Sequence, residues 1–176
     1  IPLSEADGER HLIVNRDTGE FPFTRTALHT RAADFFAQLK KPESEWKSLP
    51  DLQPHLDEFH QRVKAGEYER AARILLDIDF KYLLTWGHIK LMADLHESLQ
   101  GKLNDPDLKE RSLGNLGTAY WSMGQVHKGL HCYEQALEIA RETKSRNGEA
   151  AWLGNLGLCY ADLGEPARAI EYHEQA

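Results

Sequence analysis

Apolar residues recur at helical spacing along most of this chain, and glycines or prolines punctuate the pattern. Between Thr24 and Leu39 the positions Ala27, Leu28, Ala32, Phe35, Phe36 and Leu39 predict a helix. Thr24 or Thr26 would cap it and Pro42 would end it. A loop from Lys41 to Gln53 holds Pro42, Trp46, Pro50 and the capping candidate Asp51. The next helix should run from Pro54 to Ala65, with Leu56, Phe59 and Val63 on one face. Pro54 suits its first turn, where a missing N–H costs nothing. Glu67–Leu84 and about His88–Gln100 read as two more helices around Gly87. Asp107–Met123, Val126–Lys144, Gly148–Leu163 and Ala167 onward complete the series, with Asn147-Gly148 as the expected break between the middle two. Residues 1–22 differ. His11-Leu-Ile-Val-Asn15 is β-prone, and a turn signal at Asp17–Glu20 precedes Phe21-Pro-Phe23, so a marginal hairpin is expected.

Two of these helix pairs are copies. Leu113-Gly-Asn-Leu-Gly-Thr-Ala-Tyr120 returns as Leu153-Gly-Asn-Leu-Gly-Leu-Cys-Tyr160, and residues 113–136 match 153–176 at 10 of 24 positions. A repeat of this length cannot bury its own apolar face and must stack on its neighbours. The expected fold class is therefore all-α, a solenoid of antiparallel helix pairs with a small N-terminal non-repeat element. Shifting the register back by one repeat falls on residues 67–101, where the spacing survives but the Leu-Gly-Asn signature does not. The expected division is 1–22, a tail of an upstream domain or a capping hairpin; 23–106, a helical connector with a degenerate repeat; and 107–176, two repeats, the second truncated. The second stops where the first still has Leu137–Glu142 to run, so further repeats are expected to follow.

Leu113, Leu116-Gly117 and Tyr120, with Leu153, Leu156-Gly157 and Tyr160, resemble the tetratricopeptide repeat. Gly129 and Tyr133, then Ala169 and His173, take the small and aromatic positions of the second helix, His173 departing from the pattern. The resemblance implies a right-handed superhelical solenoid. It also implies that Gly117 and Gly157 let paired helices approach while Tyr120 and Tyr160 fill the space between them. The period of 40 residues departs from the usual 34 of the family. This longer form resembles the Leu-Gly-Asn repeats of animal polarity scaffolds and those of bacterial STAND (NB-ARC–TPR) signalling ATPases. The helical stretch from Ala33 through Trp46 and Glu67–Asp79 to Trp86-Gly87 resembles the connector of the bacterial group.

That resemblance implies a protein or peptide ligand on the concave face made by the first helices. Asn115 and Asn155 would hydrogen-bond a ligand backbone, for which an amide offers both donor and acceptor, or would bond a neighbouring helix. Arg111, Thr118, Ser122, Leu158 and Asp162 share those faces. Trp121 follows the core position Tyr120 and would either anchor a partner or pack between repeats. The implied role is a ligand-sensing or autoinhibitory segment of a larger signalling ATPase, contacting a protein trigger or other domains of its parent chain. The alternative is a standalone adaptor or co-chaperone-like scaffold. An uncapped repeat end would also permit oligomers.

Composition narrows this reading. A formal charge of −7 argues against a nucleic-acid surface, and no apolar run approaches a membrane span. Cys132 and Cys159 read as small reduced core residues of a cytoplasmic protein, with a disulfide, which needs Cα atoms within about 7 Å, as the lesser alternative. His127 and His131 stand at i, i+4, but His127-Lys-Gly-Leu-His131 has Lys where a metalloprotease has its Glu. Glu67/Glu69 and Asp105/Asp107 read as helix-start charges. No phosphate loop or nucleophile elbow occurs, so neither enzyme activity, nor a cofactor, nor a metal is expected.

Overall fold

A computed structural model describes residues 12–13 and 22–176, with side chains from Thr24 onward. The architecture is an all-α repeat fold. Its eight α-helices among the described residues are preceded by two short strands, Leu12–Ile13 (β1) and Pro22–Phe23 (β2). These pair antiparallel, Leu12 opposite Phe23 and Ile13 opposite Pro22, while the predicted turn at Asp17–Glu20 lies outside the described residues. The chain divides into two units, residues 1–71 and 72–176. No helix among the described residues is long and apolar enough to cross a membrane.

In the first unit, α1 (Arg25–Gln38) packs on α2 (Gln53–Lys64). Thr24 caps α1, its hydroxyl oxygen accepting from the Ala27 N–H at 3.0 Å. The apolar periodicity predicts a buried hydrophobic stripe on α1, yet Leu28, Phe35 and Leu39 are exposed and only Ala33 is fully buried. Polar contacts supplement the buried Ala33, Leu56 and Phe59 in holding the pair. Arg62 on α2 donates to Asp34 at 2.6 Å, to Glu58 at 3.2 Å and to Glu67 at 2.7 Å. Lys40 reaches the other Glu58 oxygen at 2.7 Å, Thr30 donates to Glu67, and His29 meets Gln61. Glu67 therefore serves this network as well as the start of α3.

The helix predicted over Glu67–Leu84 has two parts. α3 (Tyr68–Ile78) gives way to a π-helical turn at Asp79–Leu84. Next come α4 (Ile89–Glu97), shorter than its apolar pattern, and then α5 (Pro106–Ser122), α6 (Val126–Thr143), α7 (Arg146–Asp162) and α8 (Pro166–Gln175). Each of these packs on the next in the chain. Asp105 caps α5 by accepting from the N–H groups of Asp107 and Leu108.

Asn147-Gly148 does not break the chain. The break falls earlier, at Lys144, which adopts a left-handed φ of 59°, and Ser145 caps α7 by accepting from the Gly148 N–H. Gly148 sits inside the first turn of α7 because the Glu110 carboxylate lies where its Cβ would be. Its glycine character answers a packing demand from the neighbouring repeat.

Candidate functional site

The paired helices of the second unit approach closely through small residues. A Cβ at Gly117 would lie 2.9 Å from the Tyr133 ring, and one at Gly129 would lie 3.1 Å from the Gly117 carbonyl. Gly157 abuts His173 in the same way, at 2.6 Å, so the histidine does fill the aromatic position. Trp152 reaches back from α7 into the first repeat. Its ring covers Gly114 and stacks near Tyr133, with centroids 6.1 Å apart and planes 21° apart, and its Nε1 donates to buried Glu110 at 2.9 Å. Tyr160 is buried in its repeat, whereas Tyr120 is only half-buried and donates its hydroxyl to Glu97. Burial, followed by that carboxylate, pushes the Tyr120 phenol up to about 12.

The candidate partner residues separate into two layers. Arg111, Ser122, Leu158 and Asp162 are exposed, and Asn155 and Trp121 are half-buried. Trp121 and Asp162 are brought together: the indole Nε1 donates to the carboxylate at 2.7 Å across the two repeats. The Trp121 ring also packs against the core of the unit. Leu158 stands exposed in mid-helix between Asn155 and Asp162. Arg111 pairs with Asp107 one turn earlier, at 3.7 Å. Asn115 and Thr118 lie below this surface. Asn115 donates to Asp79 at 2.6 Å, and the Thr118 hydroxyl bonds the Tyr133 hydroxyl at 2.9 Å. For Asn115, the neighbouring-helix role is the one its geometry satisfies.

Asp79 and His96 are the polar residues that the sequence reading passed over. Both are almost wholly buried. Asp79 Oδ2 takes the Asn115 amide and meets His96 Nε2 at 3.1 Å, and Oδ1 accepts from the Phe80 N–H in the π turn. His96 Nδ1 meets Ser112 Oγ at 3.0 Å. A Ser–His–Asp order invites a catalytic reading, but a nucleophile needs access to substrate, and Ser112 is 1% exposed and His96 0% exposed. The four groups satisfy one another and fix α4 and α5 to the π turn.

Cys132 and Cys159 are free and buried, and burial pushes both thiols up to about 11, away from reactive thiolate. His127 and His131 are exposed on α6. Among the described residues no cluster of three or more His, Cys, Asp or Glu side chains could hold a metal ion.

These helix pairs can be set against known proteins. Residues 109–176 match the tetratricopeptide repeat family. No curated protein matches the chain. Among solved structures, MamA superposes with a TM-score of 0.52 at 16% identity, over 85% of this chain and 75% of that one, a likeness of fold. Tetratricopeptide-like repeats of a putative kinesin light chain from Podosopora anserina give 0.45 at 18% identity, over 86% and 90% of the two chains. BtubC (BKLC) from P. vanneervenii gives 0.41 at 18%, over 86% and 54%. Within the matched tetratricopeptide segment, Gly117, Gly157 and Tyr133 sit at the helix contacts that their positions in the repeat imply.

Proposed function

We propose that the chain is a protein-interaction scaffold that receives a peptide or protein segment on the face of α5 and α7 bearing Arg111, Trp121, Ser122, Asn155, Leu158 and Asp162. Asn115 and Thr118 stiffen that face from beneath. The observation that carries this reading is Leu158, 43% exposed in the middle of a helix whose other large apolar residues are buried. Polar groups on the same face, Asn155 and Asp162, flank it, and an indole held at its edge by Asp162 extends it. An apolar anchor within a polar rim is the anatomy of a modest protein interface. The scaffold would work in the cytoplasm as the ligand-sensing or autoinhibitory part of a larger bacterial signalling ATPase. The 40-residue period and the connector-like helices before the repeats support that context.

Partner capture from the native host tests the surface. Leu158→Arg combined with Asn155→Ala should reduce recovery of the partner at least tenfold while helical content is retained. Equal recovery would refute the face. Sequencing the flanking gene tests the ATPase context, which a missing phosphate loop and nucleotide-binding domain would remove.

A further inference from the structure

One of the differences between the two repeats, Cys132 against Tyr172, opens a groove on the other side of α5. In the second repeat the Tyr160 ring is covered. Tyr172 stacks on it with centroids 5.2 Å apart and planes 12° apart, and the Arg168 guanidinium lies 3.9 Å from its centroid. Tyr160 is 4% exposed as a result. The equivalents 40 positions earlier are Tyr120, Lys128 and Cys132. Lys128 reproduces the cation contact, with Nζ 5.0 Å from the Tyr120 centroid. Cys132, however, offers a single sulfur where Tyr172 offers a phenol ring.

Tyr120 therefore lines an open groove of about 550 Å³ between α4, α5 and α6, floored also by Leu113, Leu116 and Cys132. The corresponding hollow of the second repeat, about 370 Å³, is lined by Leu156 and Tyr172 and no longer by Tyr160. Their walls differ in charge. The second is walled by Glu134, Glu138, Glu142 and Arg141. The first carries His127, Lys128 and His131 along α6, and its one acid, Glu97, already accepts the Tyr120 hydroxyl.

We propose that this groove docks a partner peptide presenting an aromatic side chain next to a carboxylate. The aromatic ring takes, over Tyr120, the place that Tyr172 takes over Tyr160, in the offset stacking that aromatic pairs favour. The carboxylate lies against the Lys128 ammonium, with the His127 and His131 rings beside it on the same wall, on a chain whose net charge of −7 would otherwise repel it. Gln100 and Gln135 stand on the groove walls, their Nε2 groups held by the His96 carbonyl and the His131 ring, which leaves their amide oxygens to accept from a peptide backbone. The volume suits one large side chain and its neighbours. This site is separate from the α5–α7 face, because Leu113, Leu116 and Tyr120 lie on the side of α5 opposite Arg111 and Ser122.

The test uses a fluorescein-labelled heptapeptide, Ser-Asp-Glu-Tyr-Asp-Glu-Gly, titrated with the whole chain at low ionic strength by anisotropy, with amide shifts recorded by NMR. Binding should move the amides of Tyr120, Lys128 and Cys132. Replacing the tyrosine of the probe by alanine should weaken it at least tenfold. Cys132→Tyr, which supplies the missing ring, should also weaken it at least tenfold with helical content unchanged. If that variant fails to fold, the exposed pair Lys128→Glu with His131→Glu carries the test, with at least a fivefold loss expected. Wild-type affinity in either variant, or equal affinity for the alanine probe, would overturn the proposal. So would loss of binding on Leu158→Arg, which would place the probe on the other face. A concentration-dependent dimer abolished by Cys132→Tyr would assign the groove to a second copy of this chain and overturn it as well.

Discussion

The indole Nε1 of Trp152 donates to the carboxylate of Glu110 at 2.9 Å, joining the second turns of α5 and α7 across one repeat. The six-membered part of the ring that carries this donor occupies the space beside Gly114, where no side chain fits. Gly154, the equivalent of Gly114 in the next repeat, has open space at its Cβ position. One substitution should therefore have opposite signs at two identical positions of the signature. Gly114→Ala must displace a buried tryptophan and should cost about 2–3 kcal/mol, the usual cost of overpacking a tight core. Gly154→Ala gains helix propensity without a clash and should stabilise by about 0.5–1 kcal/mol. Urea denaturation of both variants checks the pair, and a shared sign would show that the Trp152 contact is not as tight as described.

Asn115 and Asn155 form a second such pair. Asn115 gives its amide to the buried carboxylate of Asp79, whereas Asn155 is half-buried. Hydrogen bonds to charged groups contribute about 1.5–3 kcal/mol, and truncation leaves the acceptor short of a donor inside the protein. Asn115→Ala should therefore lower stability by about 2 kcal/mol. Asn155→Ala should change it by less than about 0.5 kcal/mol, as surface substitutions usually do. Thermal unfolding of the two single variants reads this directly. A loss of partner binding in an Asn115 variant would then need correction for stability, which the Asn155 variant would not.

These contrasts show what the sequence can and cannot carry. The Leu-Gly-Asn signature is written identically twice, and from it the helix pairs, their order and the close approach at Gly117 and Gly157 are legible. The signature cannot say that one Asn meets Asp79, because that partner lies 36 residues away in a stretch that reads as ordinary amphipathic helix. The π turn at Asp79–Leu84 is hidden for the same reason: its apolar spacing fits an α-helix until tertiary contacts claim the Asp79 side chain. The groove lay open to sequence reading. Aligning the repeats already sets Cys132 opposite Tyr172, but a cysteine in a core position reads as packing until its neighbour Tyr120 is seen uncovered.

The first unit offers a test of polar packing. Arg62 and Glu58 each keep about 7% of their side chains exposed, and Arg62 also binds Asp34 and Glu67. Removing one member of a buried pair leaves the other uncompensated, at about 3–5 kcal/mol. Lys40 still reaches Glu58, which softens the loss. Arg62→Met should therefore destabilise α2 by about 2–4 kcal/mol. Adding Glu58→Leu should recover a large part of it, because two apolar groups need no compensation. Hydrogen exchange of α2 amides in the single and double variants measures this, and additive losses would argue against the pair.

His55 makes the same unit sensitive to acid. The residue is 5% exposed, its ring packs edge-on to Trp46 at 4.6 Å between centroids, and its buried Nδ1 has no hydrogen-bond partner among the described residues. Burial, then the nearby Lys40 charge, lowers its pKa from 6.5 to about 4, with Glu58 opposing. The folded state thus keeps the ring neutral where the unfolded state takes up a proton. Above about pH 6.5 both states are neutral and the fold bears no penalty. As the pH falls from there toward 4, the unfolded state binds the extra proton and stability declines, by at most about 3 kcal/mol. Below about pH 4 both states are protonated and the loss levels off. His55→Phe keeps an edge-on ring and removes the titration. The stability difference between it and the wild type, measured by exchange of α2 amides from pH 7 to 4, should grow steadily in favour of the variant. A difference independent of pH would mean that the ring is solvated rather than buried.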